Sequence, residues 1–296
     1  MKYYERKNYT GLLYISPWIF GFLLFKLYPF VMSLVYSFTE FNILDKPKFI
    51  GFDNYIYMFT RDKLFFPALK NTLAYVFMTV PMKLAFALFI AVLLNLKLKN
   101  INIFRTAYYL PSIFGGSVAV SILWRFLFMK EGIINKFIGF FSIKPVDWLG
   151  NPDIALFTVS LLAVWQFGSS MVIFLAALKQ IPNELYEAAI VDGASKLKRI
   201  WHIDLPSIQS TIIILMIMSV GSIMSTGFEK IYLMQNNLNL RTSEVIDTYV
   251  YKIGLASPIA NYSFPTAIGL FQSVIGLLLI VIVNKIAQKV SEVSLW

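Results

Sequence analysis

Residues 179–206 read "KQIPNELYEAAIVDGASKLKRIWHIDLP", a long polar passage between two helix-length apolar segments, 155–178 and 208–228. Glu184, Glu187 and Asp192 fall in one short amphipathic piece, and Lys196, Lys198 and Arg199 follow at once. The chain around it is 58% hydrophobic and 14% charged over 296 residues. A soluble domain carries about 25% charge, so this chain lacks the polar surface that water demands. The polar passage is therefore the exception, and its surroundings are read as membrane-spanning.

Six segments approach or exceed the roughly 20 residues that cross a hydrocarbon core. They are 11–38, 71–96, 107–128, 155–178, 208–228 and 264–286. In lipid a backbone must satisfy its own polar groups, and helices do so within one segment. The expected fold is an all-α polytopic membrane protein with six transmembrane helices and a cytoplasmic amphipathic helix between spans four and five. Lys2, Arg6 and Lys7 precede the apolar run from Gly11 as in a signal peptide. That run is too long, with bulky residues where a cleavage site needs small ones, so it is read as an uncleaved first span.

Loop charge sets the orientation. With the N-terminus inside, segments 1–10, 97–106, 179–206 and 284–296 hold twelve Lys or Arg against six acids. The opposite loops, 39–69, 129–154 and 229–263, hold ten against ten. The positive-inside rule gives cytoplasmic N- and C-termini in a multi-pass membrane protein. The net charge of +10 is dispersed among apolar segments and predicts no nucleic-acid partner. Without cysteine there is no thiolate chemistry, and His202 alone builds no histidine metal site.

Inside the polar passage, Pro182 sits where a helix starts without losing a hydrogen bond. Residues 183–191 favour helix, with Leu185, Ala188 and Ala189 on one side and Glu184 and Glu187 displaced from it. Gly193 breaks the run, and Asp192 is placed to cap a second helix whose Leu197, Ile200 and Trp201 have amphipathic spacing. Pro206 is expected to end that helix. From physics alone the piece reads either as an interfacial connector or as a docking surface. For docking, the small Ala188, Ala189, Gly193 and Ala194 admit another backbone, and Glu187 stands ready for a partner's Arg or Lys.

"EAAIVDGASKLKRIWHIDLP" resembles the EAA loop of membrane-spanning subunits of bacterial ABC importers, with Glu187, Ala188, Ala189, Asp192, Gly193, Ala194, Leu205 and Pro206 matching the pattern. "IPNELYEAA", "YLPSIFGG" and "YISPWIFGFLLFKLYPF" are similar to the carbohydrate-uptake, maltose-type branch. The resemblance implies a permease domain over 70–290 containing the loop 182–206, preceded by a span and external loop, 1–69, and followed by a tail, 291–296. It implies that the loop is a coupling helix seated in a cytoplasmic ATPase, with Glu187 making an ion pair and Gly193 the bend. The implied partners are a second, different permease subunit, two copies of the ATPase and an extracytoplasmic solute-binding protein. ATP and Mg would sit on the ATPase, and this chain would bind no cofactor. A large external domain found in some maltose-type members is missing here.

No GxxxxGK[ST] phosphate loop occurs in the chain, so ATP hydrolysis falls to a partner and the chain is not expected to be an enzyme. Glu131, Asp147 and Asp153 share one loop but are too separated for an active site.

Polar side chains within spans mark either a solute pathway or helix–helix adhesion. In "AVWQFGSSMVIF", Trp165, Gln166, Ser169 and Ser170 cluster, and helical offsets let the last three share a face. Ser219, Ser222, Ser225 and Thr226 form a small polar stripe in span five, and Gln272, Ser273 and Asn284 lie in span six. Trp124 offers either a sugar-stacking face or a belt residue, while Arg125 is expected to reach the headgroups. Pro81 and Pro111 suggest kinks or hinges. Lys83 and Lys26 are costly in lipid and call for a wet cavity, a partner or snorkelling. A competing reading is an ion-coupled secondary transporter, which needs an intramembrane acid or an inverted repeat. The later five spans hold no Asp or Glu in their interiors. A third reading, a non-transporting scaffold, needs only the loop.

Overall fold

Apolar runs that cannot hydrogen-bond to lipid become helix, and the computed structural model is helical almost throughout. It describes residues 10–42, 45–96, 101–115, 117–257 and 261–291. The N-terminal cations Lys2, Arg6 and Lys7, the loop cations Lys97 and Lys99, and the tail beyond Ser291 lie outside the described residues.

Three helices are long and apolar enough to cross a membrane: Gly11–Ser37, Phe65–Asn95 and Ser263–Lys289. Three bent pairs supply further candidates: Ile101–Ile113 with Val118–Leu127, Pro152–Trp165 with Gly168–Leu178, and Lys196–Ser207 with Gln209–Met224. The chain is thus an all-α multi-pass protein with three continuous spans, or up to six when each bent pair is one span.

The chain divides into two compact units. The first takes residues up to Asp62 together with Val250–Gln272. Its N-terminal helix is α-helical over Thr10–Phe22, widens to a π turn at Leu23–Leu27 and returns to α over Tyr28–Ser37. Side chains such as Tyr14, Trp18 and Phe25 are exposed along it, a surface suited to lipid. Beyond it a short ribbon pairs Thr39–Glu40 with Lys48–Phe49 in antiparallel register. Asn54 fixes this turn by donating to the Ser37 and Thr39 carbonyls at 2.8 and 3.0 Å.

The second unit, Lys63–Tyr249 with Ser273 onward, is organised on the Phe65–Asn95 helix. At 1.5 Å per residue its 31 residues reach about 46 Å. Pro81 lies inside this helix, which continues through it to Asn95, although the ring removes one backbone donor. The helix buries Tyr75, Val76, Val80, Leu84, Ala87 and Ala91 in one core cluster with Leu162, Met171, Phe174, Leu178 and Leu215. Span four departs from its expected continuity: helix Pro152–Trp165 stops, and Gly168–Leu178 restarts at a 49° bend. A Cβ on Gly168 would lie 2.6 Å from the Tyr108 carbonyl oxygen and 2.8 Å from Tyr109 Cα, so only glycine lets this helix start against the Ile101–Ile113 backbone.

Two asparagines pin the connecting segments. Asn135 donates to the Met129, Lys130 and Val146 carbonyls and accepts from the Val146 amide and the Trp148 indole. Asn239, fully buried, donates to the Leu149 and Met234 carbonyls at 2.8 and 3.1 Å. Its Oδ1 accepts from the Asn236 amide and the Ser243 hydroxyl. Replacing this amide orphans several buried groups, each costing about 1–3 kcal/mol. Asn239→Ala is expected to lower stability by at least about 2 kcal/mol, read as a reduced unfolding midpoint of the purified protein in detergent. An unchanged midpoint would contradict this account of the segment.

Candidate functional site

The polar passage folds as helix, glycine bend and helix. Asn183–Val191 is the first helix, entered through Pro182. It ends in paired bonds, Gly193 N–H to the Ile190 carbonyl at 3.0 Å and Ala194 N–H to the Ala189 carbonyl at 2.8 Å. This is a Schellman closure, which needs a left-handed residue at its turn. Gly193 supplies it with φ +73°, and a Cβ there would meet no atom within 4 Å. Backbone conformation, not crowding, therefore selects glycine.

Two expectations for this loop are corrected. Asp192 closes the first helix as its C-cap, and Ser195 caps the second by accepting from the Lys198 amide. The closure uses residues 192–194, so the next helix cannot begin until Lys196. Nor does Pro206 end the second helix. The chain widens to a π turn at Ile200–Asp204, runs helically through Leu205–Ser207 and bends by 64° into Gln209–Met224. The proline ring clashes with the carbonyl four residues back, here that of His202, and that carbonyl lies within the widened turn.

Glu187, Ala188, Asp192, Gly193 and Pro206 are exposed, and Ala189 is half-buried. Val191, Leu197 and Trp201 are exposed beside them, at 87%, 70% and 67%. The loop is tied down from beneath, where the Tyr186 hydroxyl donates to the buried Asp204 carboxylate at 2.5 Å. Burial raises the Tyr186 pKa, and the hydrogen bond and charge of Asp204 push it the same way, against nearby Arg199.

A second polar assembly lies in the bundle, at the break between Trp165 and Gly168. Gln166 is 7% exposed, and its Oε1 accepts from Lys230 Nζ at 2.6 Å. Its Nε2 is buried with no hydrogen-bond partner among the described residues. Gly115 makes room for it, since a Cβ there would lie 3.0 Å from the Gln166 amide carbon. Tyr75, Lys83, Gln166, Ser222, Gly227 and Lys230 line a pocket of about 40 Å³. On the neighbouring side, Trp124 and Trp165 stand with ring centres 5.8 Å apart. They line a cleft of about 490 Å³ with Val120, Leu123, Phe126 and Leu127.

Residues 67–292 match the family described as "Binding-protein-dependent transport system inner membrane component". The chain belongs to this family. The permease is 48% identical to the Probable ABC transporter permease protein YesP of Bacillus subtilis, over 75% of this chain and 72% of that one. It is 34% identical to that organism's Polygalacturonan/rhamnogalacturonan transport system permease protein YteP, over 96% and 89% of the two chains. Its fold matches a chain of a bacterial ABC transporter involved in the import of the acidic polysaccharide alginate, with TM-score 0.82, 28% identity, and coverage of 95% and 96%. As a permease subunit the chain is not a catalyst, and ATP hydrolysis occurs on a separate ATPase subunit. Family membership sets aside the ion-coupled and scaffold readings.

The residues singled out between Trp165 and Ser170 do not share one face. The break leaves Gln166 and Ser170 buried and turns Ser169 outward, while Trp165 is 39% exposed at the cleft. Trp124 packs between helices, donating its indole N–H to the Thr158 carbonyl at 3.1 Å. Arg125 reaches the Leu233 carbonyl at 3.4 Å. Ser222 joins the polar pocket, and the Ser225 and Thr226 side chains lie outside the description. Gln272 is buried in the Ser263–Ser291 helix, within the first unit. Lys83, read as seeking a wet cavity or a partner, lines the pocket.

Lys230, Tyr186 and Asp204 were not anticipated. Lys230 follows the expected end of span five and reads as a loop cation. Tyr186 and Asp204 stand 18 residues apart, a pairing no local spacing signals.

Tyr186→Phe leaves Asp204 buried without this donor, a loss of about 1–3 kcal/mol. Faster hydrogen exchange over 183–191 is the expected readout, and exchange equal to wild type would remove the tie. A tyrosine pKa raised on folding stabilises below the unfolded value, about 10. That stability is lost only as pH rises through the higher folded value, so exchange protection should hold from pH 6 to 9 after correction for intrinsic rates.

Proposed function

We propose that this chain forms part of the transmembrane pathway for a carbohydrate, in particular an oligosaccharide. It is the permease component of a carbohydrate ABC importer, working with a partner ATPase and a solute-binding protein. The single observation that carries the coupling reading is the exposed helix, glycine bend and helix at 183–207, anchored beneath by Tyr186 and Asp204. An exposed apolar set beside Glu187 suits a surface that a second protein covers. In this reading the loop 182–206 is the coupling element, with Glu187 paired to a basic residue of the ATPase and Ala188 and Ala189 admitting its backbone. Asp192 and Gly193 form the bend, and Pro206 lies where the loop passes into the next span.

The carbohydrate assignment is supported by a relative whose name specifies polygalacturonan or rhamnogalacturonan, and by the alginate importer's fold. Trp124 and Trp165 offer aromatic faces to a sugar ring, and Gln166, Ser169, Ser170, Ser222 and Gln272 offer amides and hydroxyls. The finer architecture we propose is six spans with both termini cytoplasmic, a permease domain over 70–290, and a first span with its external loop over 1–69. The residues from 291 to 296 form a short cytoplasmic tail. The assembly pairs this subunit with a second, different permease and two ATPase copies.

Mild-detergent purification of the natively expressed chain should recover a second permease and two ATPase copies, counted by mass spectrometry. Glu187→Ala should reduce ATPase recovery and solute uptake at least tenfold while membrane insertion stays intact. Gly193→Val places a β-branched residue at φ +73° and should do the same. Normal uptake by both variants would remove the coupling assignment.

A further inference from the structure

The pocket beside the span-four break is rich in donors. Lys83 and Lys230 bring two ammonium groups, Gln166 an unpartnered buried Nε2, and Tyr75 a hydroxyl, while the Ser222 hydroxyl in the lining donates to the Ser219 carbonyl at 3.3 Å. The Gln166 acceptor already takes a bond from Lys230. Lys83 has no hydrogen-bond or ion-pair partner among the described residues, and no carboxylate lines the pocket. Glu229, next to Lys230 in the chain, is exposed and is not part of the lining. Glu229 acts on Lys230 only from outside the lining, so two ammonium groups face one small space with no carboxylate in it, a costly arrangement that an anion would complete.

Size narrows the occupant. About 40 Å³ accepts one small group and excludes a sugar ring. A carboxylate fits the chemistry, because its two oxygens only accept hydrogen bonds. Trp165, the residue before Gln166, lines the apolar cleft, so an aromatic face stands one position from the donor cluster. We propose that Lys83, Lys230 and Gln166 form a subsite for the carboxylate of an acidic oligosaccharide, making the transported solute a uronic-acid-containing one. The ring stays outside the pocket and only its carboxylate enters. This rests on the carbohydrate reading above and adds charge to it. The acidic polysaccharides named for one relative and one solved structure agree with it, but the donor cluster carries the argument.

The test uses the complete importer with its binding protein in liposomes of neutral phosphatidylcholine. ATP-driven uptake is measured for trigalacturonate and trimannuronate, with galactotriose and mannotriose as neutral counterparts. The expected result is uptake of a uronide at least tenfold above its neutral counterpart. Lys83→Met should cut that uptake at least tenfold, and Lys83→Arg should restore most of it. Gln166→Glu is the second variant, nearly isosteric, and gives the lysines a carboxylate of the protein's own. It should block uronide uptake in an importer that still assembles with its ATPase, whereas lysines with a merely structural role would be indifferent to it or stabilised. Unchanged uronide uptake by assembled Lys83→Met and Gln166→Glu importers overturns the subsite. Uptake of the neutral sugars alone overturns it too, while leaving the carbohydrate reading standing. Uptake of none by an assembled, ATP-hydrolysing importer overturns the carbohydrate reading and this proposal together.

Discussion

A helix that stops inside an apolar bundle leaves backbone groups and side chains that water cannot reach, and something must satisfy them. The interruption at Gln166 and Phe167 imposes that demand on the second unit. Gly168 answers the steric part, letting the Tyr108–Tyr109 backbone close against the restarting helix. Gly115 answers another part by leaving room for the Gln166 side chain. Lys230, from the Phe228–Met234 helix, supplies the donor for Gln166 Oε1. Each of these residues lies on a different element, so the break draws four segments of the chain to one place. An unbroken helix over 152–178 would have left the pocket without its amide and the cleft without Trp165 in its present setting.

The loop over residues 182–206 is built on the opposite principle. Its functional candidates carry few internal contacts, and its stability comes from one closure motif and one buried bond. The Schellman pair fixes where the first helix ends without help from crowding, because a Cβ at Gly193 would meet no atom within 4 Å. The bond from Tyr186 to Asp204 then ties that helix to the segment leading into the next span. Glu187 and Ala188 stay exposed on a piece whose underside is held. A surface so arranged is free to meet another protein without first paying to order itself.

Sequence and structure agree where local chemistry decides. Apolar length located the long helices, and Pro182 and Gly193 bounded the first loop helix because proline and glycine act through their own backbones. Agreement fails where two choices compete locally or where the partner is distant. Asp192 and Ser195 are both good caps, and the three-residue closure after Val191 decided for Ser195. Gln166, Ser169 and Ser170 share a face only if the helix is continuous, and the signal against continuity was Gly168, which spacing treats as neutral. Lys83 was flagged by its cost in lipid, yet its companion Lys230 sits past the apolar run and carries no such flag. Tyr186 and Asp204 meet only through tertiary folding. Pattern reading sees what a residue does to its own turn and misses what it does to another helix.

The two π turns share a plan that neither composition nor hydropathy displays. Leu23–Leu27 is followed by Tyr28 and Pro29, and Ile200–Asp204 by Leu205 and Pro206. In both, the residue before the proline bonds five positions back, Tyr28 to Leu23 and Leu205 to Ile200. A wide turn holds one residue more than an α turn, and one helical residue is a rotation of about 100°. Side chains upstream of each proline are therefore out of phase with those downstream. A helical wheel drawn through either segment as a single α-helix misassigns one of its halves, and Lys26, awkward in a continuous apolar span, sits inside the phase slip itself.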